Sequence, residues 1–535
     1  MPNTSLKDPY IPSVVRNTFF VFSSIFLCIL LYYNYWLGSA ITLFVSIILT
    51  ALITGIYLFK FNFFLLFNIT KLLSFPENVL CTFISIFAII CLSNFSYFYW
   101  QTRFFSALLS IYATNCYVTL IYTFAKKCIK SFWRSLSLHY QKLFIIFLII
   151  NIVFSIAIFL CTSLFSTQLL QIDSFIGFDT GHSVAHDFGI NINYEENDAR
   201  HLLMSLAILP FAILPKIIAN LLPFIPHFDV FLLCIVQATI STYCTIRLVS
   251  LLQIKDNTLS SLLVALATCC SAVFINMLVI EKFVFVLFYI TTTIYYSLQK
   301  SSLKWIFFVG SVGILTTNIF LLPIILLTDK KPLKTIIKEC LIALLAFVCI
   351  LIIFGQLNRL FFIVSTFTRI LRFSSLKASP PSTLYVLAQY IIFIANLFFV
   401  PATKEAKSFT LILKQPFFSH LIIFGIILLI LSLLGYILNH KNTFAKICMY
   451  WQIFMFLILA IFGWGSPLNE MFIYSSIFFW STFALVIMFF NSVAKTKRKK
   501  IICISTLLSV VVIYNIIEFI PLLQFAIKYY NCPFF

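Results

Sequence analysis

The stretch Gln171–His201, with the sequence QIDSFIGFDTGHSVAHDFGININYEENDARH, is the one long polar segment in a strongly apolar chain. It contains six of the sixteen acidic residues and three of the seven histidines. An apolar run long enough to cross a bilayer precedes it, and the apolar pattern resumes after it. Carboxylates are costly in hydrocarbon and are kept at water-accessible, working positions. The chemistry of the protein is therefore predicted to lie in this loop.

Composition places the rest of the chain in a membrane. Apolar residues make up 62% of the 535 residues and charged residues 10%, whereas soluble domains average roughly 45–50% and about 25%. The apolar runs are continuous, whereas a β-barrel would show short alternating segments. Since the runs have the length of bilayer-spanning helices, we predict an all-α, polytopic integral membrane protein with about 12–14 transmembrane helices.

The basic residues give a net charge of +20 and cluster in short loops, as the positive-inside rule describes. We interpret this charge as a topological signal, and no nucleic-acid partner is expected. The loops Lys126–Lys142 and Lys495–Lys500 are predicted to be cytoplasmic, which places Gln171–His201 on the extracytoplasmic side of a plasma or bacterial inner membrane. The fifteen cysteines are mostly single and lie within apolar runs, as small core residues do.

The order of the apolar runs divides the chain into three regions. We predict an N-terminal extension of four membrane helices, a catalytic membrane core, and a basic cytoplasmic loop with a last helix, at residues 1–142, 143–490 and 491–535. Within the core we distinguish an outer loop, juxtamembrane helices and an outer basic region, at residues 166–201, 202–226 and 355–419. Residues 305–327 fit either one span or a hairpin, and the sequence leaves both open.

The juxtamembrane segment is interrupted by Pro210, Pro215, Pro223 and Pro226. Proline removes a backbone donor, and at membrane depth it is tolerated only where the freed groups find partners. We therefore expect short interfacial or re-entrant helices that lie under the outer loop.

The outer loop offers residues suited to acid–base chemistry and phosphate binding. Asp179 is the first choice for a general base that accepts a proton from an attacking hydroxyl. Asp187 is expected to position substrate or to bind a divalent metal through oxygen. Arg200 and His201 are predicted to bind phosphate at a helix N-terminus, with interfacial anchoring or helix capping as the alternative. His182 belongs to the predicted substrate-binding set, although the loop lacks the ligands of a zinc site.

Further binding residues are predicted outside the loop. Glu281 lies at the outer boundary of a span, and Glu470 and Tyr474 are expected to line the same cavity, with an isolated loop carboxylate as the alternative. A basic cluster on the outer side would hold an anionic headgroup or pyrophosphate. This cluster is the segment Arg359–Lys414, in which Arg359, Arg369 and Arg372 are the predicted binding residues, and ordinary cytoplasmic charge is the alternative for Arg359–Lys377.

Four stretches, taken together and in this order, resemble the GT-C superfamily of membrane glycosyltransferases. The first, which is similar to the D…D…RHPL-type entry of bacterial members, runs Asp179-Thr180…Asp187…Asp198-Ala199-Arg200-His201-Leu202-Leu203, with leucines where a proline is often found. The other three are Ile280–Phe283, Gly313–Asn318 and Glu470–Ser475. The resemblance covers roughly residues 143–490, and the N-terminal spans and the last helix fall outside it.

The resemblance implies a GT-C-like fold with a long first extracytoplasmic catalytic loop. It implies an inverting transfer of a sugar from a polyprenyl-phosphate donor to an extracytoplasmic glycan, lipid or protein acceptor. Asp179 would be the base, and Arg200 and His201 would contact the donor phosphate. Metal dependence stays open. If a divalent metal takes part, Mg²⁺ or Mn²⁺ is expected to bind to Asp179 and Asp187.

Two other functions remain open on the sequence alone. A polymerase or ligase of lipid-linked polysaccharide would use a polyprenyl-pyrophosphate donor at a similar outer loop. A flippase or secondary transporter would carry several charges at mid-bilayer depth, and Arg247 and Glu518 are almost the only such residues. The small number of these charges favours an enzyme.

Overall fold

The computed structural model describes the larger part of the chain after its N-terminal quarter. The described residues are 126, 128–166, 178, 183, 188, 201–328, 331–353, 360, 362, 368, 371, 374, 382–405, 411–413, 420–465 and 471–530. The four N-terminal spans predicted above lie outside them. The chain divides into two compact units, and the larger, Leu136–Leu351 with Gln356–Phe535, holds nearly all of the described elements.

Helices dominate the described residues. In chain order they are α1 Leu138–Cys161, α2 Met204–Leu221, α3 Phe228–Leu251, α4 Asn257–Cys269, α5 Ser271–Leu278, α6 Phe283–Leu298, α7 Lys304–Ile314, α8 Leu321–Thr328, α9 Leu333–Ile353, α10 Thr383–Asn396, α11 Leu421–Asn439, α12 Thr443–Phe456, α13 Ser475–Val493 and α14 Lys497–Tyr529. A π-helical turn, Leu457–Ile461, continues α12. Two 3₁₀ turns, Thr316–Phe320 and Met471–Tyr474, precede α8 and α13.

Six of the described helices are long and apolar enough to cross a bilayer, or seven if α4 and α5 form one bent span. They are α1, α3, α11, α12 with its π-helical turn, α13 with its 3₁₀ turn, and α14. The apolar run Phe283–Leu298, whose composition predicts a membrane helix, forms the shorter helix α6. The prediction of a helical, multi-pass membrane protein is confirmed. The total of about 12–14 spans includes segments outside the described residues and stays a prediction.

Helix α13 lies at the centre of the described bundle. In its apolar window 83% of residues are buried, against 28% in α1 and α11 and 17% in α14. Gly435 of α11 permits a close helix contact, since a Cβ there would lie 2.0 Å from the Leu485 carbonyl oxygen of α13. Gln452 of α12 joins the same helices, because it accepts from Ser432 Oγ at 2.8 Å and donates to Thr482 Oγ1 at 3.0 Å.

The juxtamembrane segment differs from its prediction. Instead of several short helices, residues Met204–Leu221 form the single helix α2, which contains both Pro210 and Pro215. The Tyr289 hydroxyl of α6 donates to the Ala207 carbonyl oxygen at 2.7 Å, in the turn before the first proline. The expectation failed because α2 packs along α3 and α7, so that tertiary contacts hold the helix together across its missing backbone bonds.

One short β-hairpin accompanies the helices, and the all-α prediction stands. Strands β1 (Thr403–Glu405) and β2 (Leu411–Leu413) form an antiparallel hairpin inside the region predicted as outer and basic. Each strand has three residues, which is too short for the alternating pattern that identifies strands in a sequence.

The bent pair α4 and α5 breaks at Cys270 by 56°, and the backbone groups freed there find partners from distant parts of the chain. The Ser271 and Ala272 N–H groups donate to the carbonyl oxygens of Phe398 and Leu397, at 3.1 and 3.2 Å. Since hydrocarbon offers no alternative partner, the break depends on the segment that follows α10.

Asn515 of α14 secures both sides of this junction. Its Nδ2 donates to the carbonyl oxygens of Cys269 at 2.7 Å and Phe398 at 3.0 Å, and its Oδ1 accepts from the Val400 N–H at 2.7 Å. A side chain on an otherwise peripheral helix therefore satisfies three backbone groups of two other segments.

We expect Asn515→Leu to destabilise the folded protein by about 2 kcal/mol or more, since the Cys269 carbonyl and the Val400 N–H lose their bonds to the amide and each buried group left without a partner costs about 1–3 kcal/mol, whereas the Phe398 carbonyl keeps its bond from the Ser271 N–H. The free energy of unfolding is measured by titration with a denaturing detergent. The control is Ile516→Ala, at a lipid-exposed neighbour, for which a surface-type effect within about 0.5 kcal/mol is expected. Equal stability of the two variants would remove Asn515 from this role.

Candidate functional site

A short irregular segment, Val279–Lys282, joins α5 to α6 and is buried. Its backbone is held from two sides: the Ile280 N–H donates to the Phe165 carbonyl oxygen at 2.9 Å, and Gln237 Nε2 of α3 donates to the carbonyl oxygens of Val279 at 3.0 Å and Glu281 at 3.2 Å. Non-helical backbone at membrane depth is tolerated where it is enclosed by protein or lines a cavity. This segment is therefore a candidate site on structural grounds alone.

Glu281 is the acidic residue of this segment, and only 3% of it is exposed. Its Oε2 accepts from the Lys282 N–H at 3.1 Å. Two residues further on, the Phe283 ring meets the Tyr474 ring edge to face, with centroids 5.8 Å apart. The Trp464 ring lies 6.2 Å from the same tyrosine. The start of α6 and the 3₁₀ turn before α13 thus meet beside a buried carboxylate.

The start of α2 is joined to the end of α7. The Leu203 N–H donates to the Gly313 carbonyl oxygen at 2.9 Å, and His201 Nδ1 lies 2.6 Å from the Ile314 carbonyl oxygen. A carbonyl can only accept, so Nδ1 carries the proton in this bond. A Cβ on Gly313 would lie 2.8 Å from Leu203 Cβ, so the glycine permits this approach.

The helix is interrupted directly after this contact. Helix α7 ends at Ile314, a 3₁₀ turn follows, and α8 begins at Leu321. Residues 305–327, for which the sequence left one span or a hairpin open, therefore form two helices joined by a short turn. Asn318 is fully buried in the 3₁₀ turn, and its Nδ2 donates to the Ser311 carbonyl oxygen at 3.1 Å. The Ser311 carbonyl oxygen also accepts from the Leu315 N–H at 3.1 Å, so the amide adds a second bond at the last turn of α7.

Two described residues of the outer loop contact the same region. The buried Phe178 ring lies edge to face with Phe472 in the 3₁₀ turn before α13, with centroids 6.2 Å apart. The buried Phe188 ring lies 5.5 Å from Phe285 in the first turn of α6. These phenylalanines are the immediate sequence neighbours of Asp179 and Asp187.

Three of the residues predicted for the site are described: Glu281 and His201, which are buried, and Tyr474, which is half-buried. The other predicted residues lie outside the described residues, namely Asp179, His182, Asp187, Arg200, Arg359, Arg369, Arg372 and Glu470. In the described part of the chain, no three His, Cys, Asp or Glu side chains are grouped as a metal site would require. The predicted metal ligands are among the residues outside it.

Two buried amides at the site were not singled out from the sequence. Gln237 holds the backbone on either side of Ile280, as described above. Asn276 Nδ2 of α5 donates to Ser475 Oγ at 3.1 Å, which ties α5 to the first residue of α13, and also to the Ala272 carbonyl oxygen at 2.8 Å. An amide inside an apolar helix signals a buried partner, but sequence alone does not identify that partner.

A small cavity adjoins the irregular segment between α1, α3 and α5. It is lined by hydroxyl, thiol and apolar groups, including Ser155, Thr162, Ser166, Cys234 and Leu278. The hydroxyls of Ser155 and Ser166 are buried, and no hydrogen bond is assigned to them within the described residues. Cavities of this polarity hold ordered water, so water is expected next to the candidate site.

Arg247, one of the two charges noted at mid-bilayer depth, does not belong to this site. It lies ten residues beyond Gln237 on α3, which is about 15 Å along a helix. Its side chain is 1% exposed, and its guanidinium lies 3.7 Å from the centroid of the Tyr295 ring and 5.5 Å from that of Tyr243. These aromatic faces stabilise the buried cation.

Compared with protein families, with curated proteins and with solved structures, the chain finds no match.

We expect Gln237→Leu to destabilise the protein by about 2 kcal/mol or more, since it leaves the carbonyl oxygens of Val279 and Glu281 without their donor. Thermal unfolding in detergent measures this loss. The control is Thr239→Val, which removes only a hydroxyl bond to the preceding turn of the same helix and is expected to cost about 1 kcal/mol or less. A Gln237→Leu protein as stable as this control would contradict the role given to the amide.

Proposed function

We propose that this protein is a membrane glycosyltransferase. In this proposal it transfers a sugar, with inversion, from a polyprenyl-phosphate donor to an acceptor on the extracytoplasmic side of the membrane. The bilayer supplies the donor, and the acceptor is a glycan, lipid or protein that carries a free hydroxyl.

One observation carries the proposal. Segments that together resemble the GT-C superfamily in sequence are far apart along the chain, and their described residues meet in pairs. His201 and Leu203 contact Gly313 and Ile314, and the start of α6 contacts the turn that ends at Tyr474. Meetings of this kind are what a shared site requires.

The aromatic contacts of the outer loop support the same proposal. Phe178 and Phe188 pack at the two places that flank Glu281, namely the turn before α13 and the first turn of α6. A solvated linker would leave large rings exposed, whereas both of these are buried. The loop that holds Asp179 and Asp187 is thus anchored by its phenylalanines next to the irregular backbone.

The proposed reaction is a single displacement at the anomeric carbon. Asp179 takes the proton of the acceptor hydroxyl as its oxygen forms the new bond to that carbon, and the bond from the carbon to the phosphate oxygen breaks. The electron pair leaves with the polyprenyl phosphate, whose added negative charge Arg200 stabilises. The outer arginines Arg359, Arg369 and Arg372 add to this field.

The described residues take supporting roles in this proposal. Glu281 accepts hydrogen bonds from sugar hydroxyls, since an ionised carboxylate has only acceptor oxygens. His201 is held by its Nδ1 bond to Ile314, so that its ring has a fixed orientation towards the donor phosphate. Tyr474 and its aromatic neighbours form an apolar wall for the sugar ring or for the first isoprene unit. If Mg²⁺ or Mn²⁺ takes part, Asp179 and Asp187 are the oxygen ligands that suit it.

The test is transfer by purified protein in vesicles that contain a radiolabelled polyprenyl-phosphate hexose. Asp179→Asn is expected to lower the transfer rate by about 10²–10⁴-fold, the range for loss of a general base, while the protein still inserts and purifies as a single species. The matched control is Asp173→Asn in the same loop, for which transfer within about twofold of the wild type is expected because no role is assigned to it. A chelator arm measures the need for a divalent metal.

Two results would contradict the proposal. Undiminished transfer by Asp179→Asn would remove this residue from the mechanism. Transfer that occurs only from a polyprenyl-pyrophosphate glycan would identify a polymerase or ligase instead, and movement of labelled donor across the vesicle membrane without any transfer would identify a flippase.

A further inference from the structure

The run Lys495–Lys500, with the sequence KTKRKK, joins α13 to α14 at the end of the bundle opposite the candidate site. Lys495, Lys497, Arg498 and Lys499 are exposed. Four of the five cations fall in the first turn of α14, where the helix dipole disfavours positive charge and where no acidic side chain is present. The local sequence therefore concentrates positive charge at a position that needs an external anion.

One carboxylate of the described residues contacts this run. Asp256 Oδ2 lies 2.5 Å from Lys497 Nζ, while its Oδ1 accepts from the Leu259 N–H at 2.9 Å and caps α4. The hydrogen bond from Lys497, followed by that from Leu259, holds the pKa of Asp256 below its usual value. Asp256 thus offsets a single cation and leaves the greater part of the charge.

Helix α14 continues from these cations into lipid-facing surface. Arg498, Ile502, Ile513, Ile516 and Ile520 fall on one face of the helix, at spacings of three, four and eleven residues. The four isoleucines are between 49% and 59% exposed, in a helix whose apolar window is 17% buried. A cationic end thus lies in line with an exposed face of about five turns, which is apolar at its isoleucines and carries Thr506 and Ser509 between Ile502 and Ile513.

We propose that this surface binds anionic phospholipids of the leaflet next to it. The headgroup phosphates contact Lys495, Arg498 and Lys499, and the acyl chains lie along Ile502 and Ile513. The order of charge and apolar surface along α14 matches the order of phosphate and hydrocarbon in one leaflet. A free phosphate ion would use only the first part of this surface, so the occupant is the lipid.

The inference goes beyond the topological meaning of basic loops. A topological signal requires only that the cations lie on the correct side of the membrane during insertion, whereas a lipid site requires them to bind headgroups in the folded protein. Near an anionic surface each Lys or Arg contributes on the order of a fivefold change in binding. Removal of three cations is therefore expected to weaken anionic-lipid binding by roughly a hundredfold.

The experiment titrates the purified full-length protein with fluorescent phosphatidylglycerol, and with phosphatidylcholine of the same acyl chains as the neutral probe. The wild type is expected to prefer phosphatidylglycerol, and the triple variant Lys495→Gln, Arg498→Gln, Lys499→Gln to lose that preference. Lys497 and Lys500 are kept because they bond to Asp256 and Asn491. The matched control, Lys334→Gln, Lys338→Gln, Lys404→Gln, removes the same charge from exposed positions on α9 and β1 and is expected to keep the preference within about twofold.

A second arm needs no variant. The preference of the wild type is expected to disappear in about 1 M salt, where the screening length is about 3 Å, and to persist when inorganic phosphate is added at constant ionic strength. Equal binding of the two lipids by the wild type, equal loss in both triple variants, a preference that salt leaves unchanged, or complete competition by inorganic phosphate would each overturn the proposal.

Discussion

Every backbone N–H and C=O of this chain that lies in hydrocarbon needs a partner within the protein, because the bilayer core supplies none. The described helices meet this requirement along their length and fail to meet it at three breaks: Cys270, Val279–Lys282 and Leu315. At each break a group from a distant part of the chain supplies a hydrogen bond that the helix no longer makes. Asn515 and the segment after α10 close the first, Gln237 and Phe165 the second, and His201 and Leu203 the third.

The second and third breaks lie where the chemistry is proposed. Glu281 is in one of them, and the other follows the contact between His201 and Ile314. Straight helices would present only side chains at this depth, whereas broken ones also let carbonyl and N–H groups approach a bound molecule. The stabilising partners of these breaks are therefore also the groups that hold Glu281 and His201 in place.

The buried residues Glu281 and Arg247 lie in different surroundings. Glu281 lies on irregular backbone, close to aromatic rings at the start of α6. Arg247 lies inside a regular helix with its guanidinium over Tyr295. Both are costly at membrane depth. The aromatic enclosure of the arginine gives it a structural explanation, whereas the carboxylate lies among the segments that anchor the outer loop, so Glu281 is the one we assign to function.

The sequence was most informative where apolar length alone decides the structure, as for α6. It also singled out Glu281, His201 and Tyr474 by their polarity or their position in short motifs, and their role in a site stays a prediction. It was least informative for contacts between distant residues. Asn515 bonds to Cys269 at a separation of 246 residues, and nothing in the neighbourhood of either residue encodes that pairing. Helix α2 and the β-hairpin were missed for related reasons, since packing overrides proline and three-residue strands show no period.

The central claim is that segments far apart in the chain form one site for a lipid-linked sugar. Photolabelling tests it most directly, with a polyprenyl-phosphate sugar that carries a diazirine on the sugar, followed by mass spectrometry of the labelled peptides. The account predicts labels in peptides that contain His201, Glu281 and Tyr474, suppressed by excess unlabelled donor. Labels confined to other parts of the chain, or labels at these peptides that excess donor does not suppress, would contradict it.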